Sequence, residues 1–119
     1  MFTATLFDRP RASLAAAEAT GNAYRRSTVL YQLSVLQRDL KNAQSALEAS
    51  LAAYQAGQQA QNGYAMANAR MAESAAMEML HRPGRELAAM QEALAIARES
   101  RSPTAEGRAL INLADVRLR

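Results

Sequence analysis

A chain of 119 residues with no cysteine and a formal net charge of +3 has room for one domain, 1–119, and for neither a disulfide nor a thiolate metal site. Half of its residues are hydrophobic but only 5% are aromatic; alanine, the best helix former, supplies much of that half, and no run alternates apolar and polar residues as a strand would. The positive charge is almost wholly arginine, scattered at Arg9, Arg25, Arg38, Arg70, Arg85, Arg98 and Arg117, which favours solubility and makes no clustered nucleic-acid footprint.

The N-terminal stretch "MFTATLFDRPRASLAAAEATG" has no basic start followed by a long apolar run, and so does not read as a signal peptide. No stretch approaches the roughly 18 apolar residues of a membrane span, and a cytoplasmic protein without a membrane partner is expected. Asp8 to Pro10 opens a first helix, 9–20, which Thr20, Gly21 and Asn22 end. A second follows over 22–37. No glycine or proline lies between Asn22 and Ala56, and Leu33, Leu36, Leu40, Leu47 and Leu51 keep near-heptad spacing, which would allow one continuous helix. The repeat phasing below instead asks for a turn at Gln37 to Lys41, with Asp39 as N-cap, and that turn is the preferred reading. A third helix covers 40–57, "GQQAQNG" separates it from a fourth over 62–80, and "HRPG" precedes a fifth over 84–100. Ser102 and Pro103 start a sixth over 103–118 as N-cap and first helical residue. The fold class is all-α, with six helices.

Laid over itself, the chain repeats. At an offset of 80, Leu14 meets Leu94, Leu30 meets Leu110, Gln32 meets Asn112 and Leu33 meets Leu113. A middle copy fits less well, with Leu51 on Leu94 at 43 and Asn68 on Asn112 at 44. A helix, a polar break and a helix, repeated about every 40 residues, is the pattern of an α-solenoid. In this phasing Leu94, Leu110 and Leu113 are expected to be buried, with Leu51 matching Leu94.

The segments "GRELAAMQEALAIARES" and "TAEGRALINLADVRLR" together resemble a tetratricopeptide repeat of the longer, roughly 40-residue kind found in bacterial regulatory proteins. "LKNAQSALEASLAAYQAG" and "YAMANARMAESA" are similar to degenerate copies, so the resemblance runs from about Ser13 to Arg119. The family's aromatic positions are mostly alanine or leucine here. The resemblance implies a right-handed stack of antiparallel helix pairs whose first helices line a concave groove for a peptide or another protein. Carried over in the "ALINLADV" frame, the groove residues are Tyr31, Gln32 and Val35, then Tyr64, Asn68 and Met71, then Arg108, Asn112 and Asp115. The paired lysines by which one subgroup grips a C-terminal carboxylate are absent, so binding of that kind is not implied. The resemblance also implies a sensory or regulatory interaction module of a signalling protein.

Little in the chain points to chemistry. Glu78 and His81 have the Glu-x-x-His spacing of di-iron bundles, but such sites need it twice with further carboxylates, and a surface or capping histidine is the simpler reading. His81 is the only histidine; no Gly-x-Ser-x-Gly elbow, Gly-x-Gly-x-x-Gly loop or phosphate loop is present. No catalytic, metal or cofactor-binding residue is therefore expected. Met66, Met71, Met77, Met79 and Met90 suit either an adaptable peptide groove or gaps in an alanine-rich core, and the core is preferred. Arg25 and Arg26 read as a solvated helix face. Two roles compete: a peptide- or protein-binding scaffold, and a self-assembling bundle or long helical hairpin. The last helix carries Leu110, Ile111, Leu113, Val116 and Leu118, more apolar surface than one neighbour covers. A homodimer, or continuation into further repeats, is therefore expected.

Overall fold

The computed structural model describes the backbone from Ala4 and the side chains from Ala19 onward. The described residues form five helices and no strand: α1 (Ala4–Asp39), α2 (Ala43–Gln59), α3 (Gly63–Met79), α4 (Pro83–Glu99) and α5 (Pro103–Leu118). The all-α expectation holds; the count of six does not. The expected break at Thr20, Gly21 and Asn22 lies inside α1, whose 36 residues absorb the first two predicted helices. Glycine in a helix costs roughly 1 kcal/mol relative to alanine but keeps its N–H in the ladder. Flanking helix formers such as Ala19 and Ala23 can absorb that cost, and nothing stands within 4 Å of a Cβ placed on Gly21. The side chains of the first predicted helix up to residue 18, Leu14 among them, lie outside the described residues.

At the ambiguous boundary the chain does turn, over Leu40 to Asn42. Asp39 is the last residue of α1, and Asn42 takes the N-cap place predicted for it. This turn is then repeated three times. Each is three residues long, and the middle one is left-handed: Lys41 (φ 66°), Gln61 (φ 50°), His81 (φ 56°) and Arg101 (φ 52°). In the first, the Lys41 N–H donates to Arg38 O at 3.0 Å and the Asn42 N–H to Gln37 O at 2.8 Å. That pair of bonds is a Schellman motif, which satisfies carbonyls that the helix end leaves open. The same pair recurs in the other three turns. The residue closing each turn is also the N-cap of the next helix; Asn62 uses its side chain, accepting from the Ala65 N–H at 2.9 Å. Ser102 stands at the last N-cap ahead of Pro103 as expected, but its side chain makes no capping bond.

Consecutive helices pack antiparallel, which buried serines make visible. Ser34 Oγ donates to Ala46 O (2.7 Å) and Ser27 Oγ to Ala53 O (2.8 Å) across α1 and α2. Forty residues on from the first of these, Ser74 Oγ donates to Glu86 O (2.8 Å) across α3 and α4. The repeat is therefore forty residues, so the 80 offset stands and the 43 and 44 offsets of the middle copy are one helical turn out of register. Leu47, not Leu51, is buried, and the counterpart of Asn68 is Arg108 rather than Asn112. Leu113 is buried as expected, Leu94 is half-buried, and Leu110 is exposed.

Alanine sets how closely the helices approach. Ala46, Ala53, Ala67, Ala76, Ala93, Ala97, Ala105 and Ala109 are fully buried, and Met71, Met77 and Met90 fill the gaps between them. Three of the five clustered methionines are thus core, filling irregular space with an unbranched, adaptable chain. Beyond sequential neighbours, α1 touches α3 and α3 touches α5, while among the described residues α2 and α4 do not meet. One row, α1–α3–α5, is therefore drawn together and the other, α2 and α4, is spread apart. The close row lies on the inside of the curve.

Candidate functional site

The inner row carries all nine residues of the expected groove. Two clefts open on it. One, about 200 Å³ and reaching from α1 across α3 to α5, is lined by Tyr31, Val35, Met71, Arg108, Asn112 and Asp115 among others. The second, about 260 Å³ between α1 and α3, is lined by Tyr24, Thr28, Tyr31, Gln32, Tyr64 and Asn68 among others. Tyr31 lines both and stands between them. Helical spacing explains the grouping: Thr28, Tyr31, Gln32 and Val35 recur every three or four residues, and so do Tyr64, Asn68 and Met71 on α3 and Arg108, Asn112 and Asp115 on α5.

Arg108 ties the face together. Its Nη1 donates to Asn68 Oδ1 at 2.8 Å and its Nη2 to the Tyr31 hydroxyl at 3.1 Å, so one guanidinium spans α5, α3 and α1. Asn112 Nδ2 has only a weak acceptor, Met71 Sδ at 3.7 Å. It therefore keeps amide capacity for another partner.

Residues that the sequence reading missed close the far end of the first cleft. Arg119 Nη1 lies 2.8 Å from Glu78 and 2.5 Å from Glu86, and its Nη2 lies 2.8 Å from Asp115. One cation thus serves carboxylates from α3, α4 and α5. Its pKa is raised, first by the hydrogen bond to Asp115 and then by that to Glu86. Glu86 comes from the second helix of its pair, outside the frame that supplied the groove residues. Its signal was a charge at the repeat position that Ala46 holds in the first pair. Glu78 is thus engaged with Arg119, while His81 sits exposed in the third turn. Arg25 is exposed, and Arg26 donates to the side chain of Gln59 on α2.

A second charged cluster lies between α2, α3 and α4. Glu73, 2% exposed, accepts from Arg70 Nη1 at 2.7 Å and from Arg85 Nε at 2.9 Å. Glu92 caps the pair from α4, 3.2 Å from Arg85 Nη1 and 3.0 Å from Arg70 Nε. That last contact lies off the N–H axis, so it is Coulombic and leaves the Arg70 N–H without an acceptor. The Arg70 guanidinium stacks 3.6 Å from the centre of the Tyr54 ring of α2. The Arg85 pKa is raised chiefly by its hydrogen bond to Glu73, against the lowering effect of burial. The cluster pins α3 to α4 and, through Tyr54, to α2.

Comparisons with protein-family models, with curated proteins and with solved structures find no match to this chain.

Proposed function

We propose that this chain is a protein- or peptide-binding helical repeat scaffold, an α-solenoid whose recognition face is the row α1–α3–α5. One observation carries the reading: nine residues from three helices, spread over 85 positions from Tyr31 to Asp115, line two neighbouring clefts that share Tyr31. Gln32 and Asn112 offer amides that pair with an extended backbone without requiring a particular side chain, and Tyr31 and Tyr64 offer apolar surface with a polar tip. On the resemblance of its last third to the longer regulatory repeats, the role is a regulatory or sensory one. The turn at Leu40 to Asn42 favours this scaffold over one long hairpin.

A random peptide library displayed against the immobilised chain tests it. Enriched peptides are expected to lose at least about tenfold in affinity for Asn68→Ala and Arg108→Ala, and to be indifferent to Arg98→Ala on the exposed rim; tenfold corresponds to about 1.4 kcal/mol. Enrichment of no peptide, or equal affinity for all three variants, overturns it.

A further inference from the structure

Val29, Leu33 and Leu36 of α1 and Leu40 just after it recur at intervals of four, three and four, and the Leu40 N–H still donates to Leu36 O, so they share one helix face; all four are exposed, Val29 at 61%. Forty residues on, the same positions are Ala69, Glu73, Ala76 and Leu80. There the face is covered, with Ala76 and Leu80 packed against Ala46 and Leu47 of α2. Eighty residues on they are Ala109, Leu113 and Val116, and Ala109 and Leu113 pack against Met90 and Ala93 of α4. The stripe on α1 is therefore the third copy of a face that its two counterparts bury against the preceding helix. A helix in the place of α2 or α4 is what fits it.

The register says where such a helix would come from. The left-handed turn residues stand twenty apart at Lys41, Gln61, His81 and Arg101, and twenty before Lys41 is Gly21, followed by Asn22 as Lys41 and Gln61 are followed by Asn42 and Asn62. Glycine is the residue that this turn position prefers, and Gly21 is the only one in the series. Yet Gly21 is helical here and α1 runs straight through it. A straight helix cannot lay its first half on its own second half, but it can lay it on that of another copy. The sequence ahead of Gly21, with Ala12, Leu14, Ala15, Ala16, Ala17 and Ala19, has the alanine-leucine texture of α2 and α4.

We propose that the chain is a two-fold dimer in which the first half of α1, residues 4–20, of each copy covers the Val29–Leu40 stripe of the other. The α1 helices run antiparallel and cross near Gly21. The stripe faces away from the clefts, so this assembly leaves the recognition face open, and it stands or falls independently of the groove.

The chain has no cysteine, so single engineered ones report cleanly. Light scattering after size exclusion at tens of micromolar is expected to give a dimer mass, and Leu33→Glu with Leu36→Glu to give a monomer with its helical circular dichroism retained. Spin labels on Ala19→Cys are expected within about 25 Å of each other between copies. Labels on Asp39→Cys are expected about 50 Å apart, from 1.5 Å per residue on either side of the crossing. A monomer mass for the parent chain overturns the proposal and points to a first half folded back at Gly21 on its own stripe. A dimer whose Ala19 labels are far apart, or one that survives the double substitution, also overturns it and points to association through the exposed Ile111 and Leu118 of α5.

Discussion

Each turn places a side chain in the left-handed region, where an L-residue other than glycine loses roughly 1–2 kcal/mol. Lys41, Gln61, His81 and Arg101 all bear that cost. Arg101→Gly is therefore expected to stabilise the chain by about 0.5–1 kcal/mol, the strain relieved less the extra freedom that glycine gives the unfolded chain; urea midpoints compare the two. The opposite holds at Gly63, where a Cβ would overlap Ser100 Cβ, an atom fixed to its own backbone. Gly63→Ala is expected to cost about 1–3 kcal/mol, and Ser100→Gly in the same chain to recover part of it, as thermal melts of the two variants would show. These residues also explain how the helix count went wrong. Glycine and proline are the expected punctuation, yet the turn residues are lysine, glutamine, histidine and arginine, while Gly21 sits mid-helix. A Schellman turn is fixed by backbone bonds, which any residue can supply, so its sequence signal is weak.

Between elements the forces are small-residue contact and one buried charge cluster. Glu73 occupies the place that Leu33 and Leu113 hold in the neighbouring pairs, so a carboxylate lies where the repeat otherwise writes an apolar side chain. Two arginines make that tolerable. Glu73→Ala leaves the largely buried Arg70 without its main partner and is expected to cost about 3–5 kcal/mol, read from chemical denaturation. Arg85→Ala, at a half-exposed position, is expected to cost less. The forty-residue spacing of Ser34 and Ser74, bonded to Ala46 O and Glu86 O, was available in the sequence and would have corrected the middle register. The leucines misled because Leu51 and Leu94 are one turn out of step, and spacing cannot tell a half-buried leucine from a buried one.

Across the whole molecule, α3 touches every other helix, whereas α5 is held by α4 and in part by α3. In a stack whose units meet only their neighbours, protection follows position. Amide hydrogen exchange is expected to be slowest in α3 and many-fold faster in α5; uniform protection would contradict nearest-neighbour coupling. The residues of the proposed recognition face came from the family resemblance, and helical periodicity accounts for their sharing one side of each helix. The Arg119 bridge was not legible, since it joins three elements that no local pattern relates. One consequence of the even twenty-residue step reaches beyond folding. Residues 42–81 form a cassette whose removal joins Lys41 directly to Arg82, keeping a left-handed residue followed by an N-cap at the seam. Ser34 would then meet the carbonyl of Glu86, as Ser74 does now. A block of that length keeps the turn and the serine bond at the seam, and the side chains that must readjust are those where Leu33 replaces Glu73 against Arg85.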